Sequence, residues 1–182
     1  MGKIHSLISQ EQRSWIERQK VFFVATAPLS AAGHVNCSPK GGDTFRVLGE
    51  HEVAYADLTG SGVETTAHLQ ENGRIVVMFC AFEGAPKIVR LHGTGEVIYP
   101  ADARFESLAL RFPDLPGLRA IIKVDVSRAS DSCGFAVPFF DYVEHRNTLD
   151  SWAEKKGPEG LSAYRLEKNQ HSIDGIPGYK AP

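Results

Sequence analysis

Arg74-Ile-Val-Val-Met-Phe-Cys-Ala-Phe82, Glu83-Gly-Ala-Pro86 and Lys87-Ile-Val-Arg-Leu-His-Gly-Thr-Gly-Glu-Val-Ile-Tyr99 follow one another directly in the chain. The first string is an apolar run of strand length, rich in β-branched and aromatic residues. The second is a turn, and the third is a long strand that returns alongside the first. A buried strand, a tight turn and a returning strand make an antiparallel hairpin, so the reading outward from here is antiparallel. Gly93 and Gly95 lie inside the returning strand, where glycine marks a bulge or a close approach of another element.

Upstream, Val21–Ala27 is apolar and ends at Pro28, and His34–Ser38 is a second short strand. The turn-like Ser30-Ala-Ala-Gly33 between them predicts a hairpin. Phe45–Leu48 and Glu52–Asp57, around Gly49, Glu50 and His51, predict another. Ser9 with Gln12 three residues on is a capping box for a short helix to about Gln19. Val63–Glu71 reads as a helix closed by Asn72-Gly73. Ala101–Phe112 reads as a helix stopped by Pro113, Ala120–Val126 as a strand, and residues 145–157 as a last helix. From Glu159 onward the chain is punctuated by Gly and Pro and is expected to run over the surface. Six or seven strands joined mostly by hairpins exclude alternating βαβ units. They predict a mainly β protein, a largely antiparallel barrel with peripheral helices, as one domain over 1–182.

Composition narrows the functional classes. Lys plus Arg is 20 against 22 for Asp plus Glu, a net charge of −2. That excludes the broad basic face on which non-specific nucleic-acid binding rests. The longest apolar run, Ile75–Phe82, is too short to span a bilayer as a helix, which takes about 20 residues. The first fifteen residues lack the apolar core of a signal peptide. Cys37, Cys80 and Cys133 are odd in number and far apart, which predicts free thiols, a cytoplasmic location and no structural metal. No HExxH, GxSxG, P-loop or dinucleotide-binding glycine pattern occurs, and no residue is singled out as a catalytic acid, base or nucleophile.

Three strings could carry a ligand. Ser38-Pro39-Lys40-Gly41-Gly42 offers a cation beside backbone that a ligand can approach closely; it also reads as an ordinary turn. Asp57-Leu-Thr-Gly-Ser-Gly-Val-Glu-Thr-Thr66 is a hydroxyl- and glycine-rich loop running into a helix start. Thr59, Ser61, Thr65 and Thr66 suit an anion there, or Ser61 simply caps the helix with Glu64 as its capping-box partner. Arg90 lies in an apolar strand and needs an anion or a carboxylate. His68 follows the Gly/Ser loop on the same helix.

In this order and spacing, the three strings resemble the FMN-binding split-barrel family named for pyridoxamine 5′-phosphate oxidase, over about residues 15–130. The match is strongest in Gly62–Phe79 and Lys87–Glu96. The resemblance implies a six-stranded antiparallel split barrel, a homodimer with FMN at the interface, and two-electron flavin chemistry on a small molecule. It places Ser38, Pro39, Lys40 and Gly41 along the flavin, and Tyr55 and Asp57 at the strand end before the phosphate loop. Thr59, Gly60, Ser61, Thr65 and Thr66 fall where the phosphate is held, and Arg90 on a strand that supplies a basic residue. A deazaflavin or haem is the alternative cofactor, and a binding module without turnover the alternative role. Family oxidases carry an Arg-Lys pair in the phosphate loop, where this chain reads Ser61-Gly62-Val63-Glu64. The resemblance therefore does not extend to the reaction that makes pyridoxal phosphate. The C-terminal fifty residues are expected to dock on the barrel and cover the site.

Overall fold

A computed structural model of the chain describes residues 2–180. Eight strands and four helices follow in the order β1 (Lys3–His5), α1 (Gln10–Ile16), β2 (Val21–Thr26), β3 (Asn36–Gly41), β4 (Phe45–Val47), β5 (Glu52–Leu58), α2 (Glu64–Asn72), β6 (Arg74–Cys80), β7 (Ile88–Ile98), α3 (Phe105–Ala109), β8 (Leu118–Ser132) and α4 (Thr148–Lys168). The strands form one antiparallel sheet in the order β3-β2-β6-β7-β8-β5-β4, with β1 added to β8. This is the mainly β split barrel with peripheral helices. Two short strands, β1 and β4, raise the count above six. Among the described residues no helix is long and apolar enough to cross a membrane.

The opening hairpin is the middle of this sheet. Val77 of β6 pairs with Leu91 of β7, and both are fully buried. On β2 alternate residues Phe22, Val24 and Thr26 turn inward. Phe22, Phe45, Tyr55 and Phe79 meet with ring centroids 5.0–5.8 Å apart and fill the barrel. Burying side chains of this size is worth about 1.5–3 kcal/mol each. The run in β5 is buried on both faces because two clusters use it. Val53 and Tyr55 face the barrel interior, while Ala54 and Ala56 face a second cluster with Ile98, Phe112 and Ile121. Phe105 and Leu108 of α3 pack against that second cluster.

Local signals hold at the helix ends. Ser9 and Gln12 form the reciprocal capping box. Gly73 ends α2 at φ 70°, a conformation that glycine adopts without a Cβ penalty. Ser61, however, does not cap α2. The N-cap is Val63, and it makes no side-chain capping bond. The capping-box reading of Ser61 and Glu64 is corrected in that respect.

Other boundaries move for tertiary reasons. The second strand of the first hairpin begins at Asn36 and runs to Gly41, so Ser38–Gly41 lies within it. Pro39 is tolerated because β3 is an edge strand, where one missing N–H costs no ladder bond. β8 extends to 15 residues because it has partners along its whole length: β5 at its start, β1 at its end, and β7 over most of it. α3 is shorter than expected. The chain beyond Glu159 is helical to Lys168, not surface coil; Gly157, at φ 64°, absorbs a kink before Pro158.

Gly93 and Gly95 each do what a strand glycine was expected to do. The register of β7 on β8 shifts at His92/Gly93. A Cβ on Gly93 would lie 2.1 Å from the Asp125 carbonyl oxygen, and one on Gly95 would lie 2.9 Å from Leu69 of α2. Gly93→Ala drives a methyl into backbone that cannot step aside. It is expected to destabilise the fold by about 1–3 kcal/mol, the usual range for overpacking. Chemical denaturation would show this, and a midpoint equal to wild type would contradict it.

Candidate functional site

One cleft of about 320 Å³ opens beside the edge of the barrel, where β3, the end of β5 and the start of α2 converge. Its size is at the low end of small-molecule sites, which run to about 1,000 Å³. Ser38, Pro39, Lys40 and Gly41 form one wall, and Asp57 with Gly60 and Thr65 forms the opposite side. The alternation of β3 explains the first wall: Asn36, Ser38 and Lys40 turn toward the barrel side, while Cys37 and Pro39 face outward. Ala56, Leu58, Val63 and Leu149 supply apolar surface.

Asp57 is the electrostatic centre. Its side chain is 3% exposed and Arg119, 5% exposed, lies against it, with Nη2 at 2.7 Å and Nε at 2.9 Å from Oδ2. Lys40 Nζ stands 3.5 Å from Oδ1. Burial raises the carboxyl's proton affinity, but the Arg119 and Lys40 charges outweigh it and hold Asp57 below the usual carboxylate range. Arg119 is fully engaged: Nη1 also donates to the Gly62 carbonyl at 3.2 Å and to Asn169 Oδ1 at 2.8 Å. Asn169, wholly buried, donates in turn to the carbonyls of Gly60 and Ser61. The C-terminal segment thus docks on the Gly/Ser loop.

A second polar chain runs from the cleft into the interior. Ser38 Oγ donates to Asn36 Oδ1 at 2.9 Å, and Asn36 Nδ2 donates to Thr65 Oγ1 at 3.0 Å. Asn36 also reaches Thr26 Oγ1 at 3.4 Å, which is 2.9 Å from His68 Nδ1. His68 is fully buried, and burial pulls its pKa below the ordinary histidine value, keeping the ring neutral. Its Nε2 and the Tyr55 hydroxyl are buried with no hydrogen-bond partner among the described residues. Burial first, then the Asp57 charge, hold the Tyr55 phenol protonated well past its usual range.

The cleft therefore brings together Ser38, Pro39, Lys40, Gly41, Asp57, Gly60 and Thr65. Tyr55 lies just behind, its ring centroid 5.5 Å from Lys40 Nζ. Thr59, Ser61, Thr66 and Arg90 are not in the lining. Thr59 is buried, with its N–H and hydroxyl both donating to the Gly117 carbonyl and its oxygen accepting from Arg165. Ser61 is exposed and Thr66 is buried in α2. Arg90 is half-buried on β7 and donates to Ser132 Oγ at 3.1 Å, with no carboxylate partner among the described residues. Sequence reading missed Asn36, Arg119 and Asn169. Arg119 had a legible signal, a cation at the head of an apolar strand, Ala120–Val124. Asn169 had none.

The fold and site together are an antiparallel split barrel with a polar cleft at the head of one helix. A family model described as pyridoxamine 5′-phosphate oxidase matches residues 8–133. The pyridoxamine 5′-phosphate oxidase family protein ustO of Aspergillus flavus is 41% identical over 195 aligned residues, covering 98% of this chain and 78% of that protein. The chain belongs to the pyridoxamine 5′-phosphate oxidase family. Among solved structures, HupZ of Group A Streptococcus is 25% identical over 67% of this chain and 91% of that chain, with a TM-score of 0.52. An FAD-binding protein of Mycobacterium smegmatis shares the fold at 13% identity, over 70% of this chain and 93% of that chain, with a TM-score of 0.50.

Proposed function

We propose that the cleft binds FMN and that the protein is a flavin-dependent oxidoreductase acting on a small molecule, as a homodimer with the cofactor at the interface. The observation that carries this reading is the β3 wall. Ser38–Gly41 presents backbone, a hydroxyl and the Lys40 ammonium to a cleft with apolar surface opposite. A planar ring needs such a slot, with few polar groups at its edge. Asp57, at 3.5 Å, takes one of the Lys40 ammonium's three donors, which leaves others for a phosphate oxygen. Lys40 and Ser38 fit the polar parts of FMN, and Ala56, Leu58 and Leu149 fit its ring. When bound, the flavin supplies two-electron redox chemistry; the chain binds, orients and screens it from water. Asp57, kept ionised by its two cations, fixes the Lys40 ammonium at the cleft mouth. The three free cysteines support a cytoplasmic location, where thiols stay reduced.

The test is a visible spectrum of the purified protein after incubation with FMN and removal of the excess. A retained flavin spectrum is expected, and a colourless protein overturns the reading. Reduction of the loaded protein by NADH or NADPH, followed with a panel of acceptors, separates an enzyme from a binding module. Lys40→Ala is expected to weaken FMN by about 1.5–3 kcal/mol, the range for a hydrogen bond to a charged group. Fluorescence titration measures it, and unchanged affinity removes Lys40 from the phosphate.

A further inference from the structure

We infer that Glu64 sets which flavin the cleft accepts, by placing its own carboxylate at the start of α2 where a ligand phosphate would otherwise sit. This deepens the flavin reading above and rests on it. A glycine-rich loop leading into a helix N-terminus attracts anions, because unpaired N–H groups and the helix dipole both point outward there. Here a side chain of the same helix answers that attraction. Glu64 Oε2 accepts from the Val63 N–H at 3.0 Å, and Oε1 accepts from the Ile173 N–H of the C-terminal segment at 3.4 Å. Gly62 makes the arrangement possible, since a Cβ there would stand 2.9 Å from Glu64 Oε2.

Elsewhere the loop is tied to the barrel and to the C-terminal segment. The Thr59 N–H is given to the Gly117 carbonyl. The Gly60 and Ser61 carbonyls are taken by Asn169, and the Arg119 guanidinium by Asp57, Gly62 and Asn169. Two cations, Lys40 and Arg119, face two carboxylates, Asp57 and Glu64, around one cleft. A phosphate dianion entering it meets Lys40 as an attractor and Glu64 as a repeller. The two offset each other, so the 5′-phosphate gives FMN little advantage over riboflavin.

The experiment titrates riboflavin and FMN into the full-length wild type, Glu64→Gln, Glu64→Ala and Lys40→Ala, read by quenching of flavin fluorescence. In the wild type the two dissociation constants are expected to agree within about tenfold. Both Glu64 variants are expected to shift the ratio tenfold or more toward FMN, and Lys40→Ala to shift it the other way. Glu64→Gln keeps an oxygen that can accept from the Val63 N–H, so it separates charge from loss of that hydrogen bond. A wild type that prefers FMN a hundredfold, or Glu64 variants with an unchanged ratio, overturns the inference. A second arm does not depend on flavin. Inorganic phosphate is added while the amide resonances of Gly62–Thr66 are followed. They are expected to stay in place in the wild type and to move in Glu64→Ala; a variant that ignores phosphate overturns the inference. If no flavin binds any of the four proteins, the flavin reading fails, and this arm still decides the role of Glu64 toward anions.

Discussion

Arg119→Met is expected to destabilise the protein by about 3–5 kcal/mol, the usual cost of removing one partner of a buried ion pair. Methionine fills much of the arginine's volume, so the loss is electrostatic and not a cavity. It strands the Asp57 carboxylate, which is 3% exposed and takes its two closest contacts from this guanidinium. Lys40, at 3.5 Å, is too loose to replace them. The Gly62 carbonyl and Asn169 Oδ1 lose a donor as well. For a chain of this size the loss corresponds to a fall in melting temperature of roughly 6–20 °C, read by calorimetry or circular dichroism. A fall under 2 °C would show that the pair contributes little.

The same pair gives stability a pH dependence with a definite sign. The folded Asp57 pKa lies below its unfolded value of 3.8. Its contribution is therefore complete above pH 3.8 and is lost as pH falls through the depressed folded value. Asp57→Asn should flatten the acid limb of the stability curve below pH 4. It should also lower stability near pH 7, because Arg119 is then buried without its counter-charge. An acid limb as steep as wild type would exclude Asp57 as its source.

The second large effect is expected from Asn169→Ala. One side chain closes the Gly60 and Ser61 carbonyls and the Arg119 Nη1 at once. Each buried group left unsatisfied costs about 1–3 kcal/mol. Arg119 Nη1 keeps the Gly62 carbonyl and Ser61 is exposed, so the sum is nearer the cost of one or two groups, about 2–4 kcal/mol. The loss should fall locally. Ile173 and Asp174 have further anchors on Glu64 and His34, and Arg165 of α4 still holds Thr59, so the loss is confined to the segment around Asn169. Limited trypsin digestion is expected to cut the variant after Lys168 faster than wild type, with the barrel left intact. Equal cleavage rates together with an unchanged melting temperature would show that the tail docks without Asn169.

The sequence by itself determined the elements whose signals are local. Period-two burial in Val21–Thr26, the capping box at Ser9 and Gln12, the left-handed Gly73 and the hairpin around Glu83–Pro86 each depend on neighbours within a few residues. Their order was enough to name an antiparallel barrel, and to gather Ser38–Gly41 and Asp57–Thr66 as candidate ligand strings. Tertiary structure alone decided what those strings do. Whether Ser61 caps a helix or Glu64 folds back onto its own backbone depends on space at Gly62 and on a partner at Ile173, 109 residues away in sequence. Whether Arg90 or Arg119 serves the cleft depends on which face of the sheet each strand presents, since both sit in apolar strands of similar composition. Asn169 carried no signal because its three partners converge only after the chain has folded. Long-range polar satisfaction of this kind leaves no periodicity behind, and that is where the charge of this site was set.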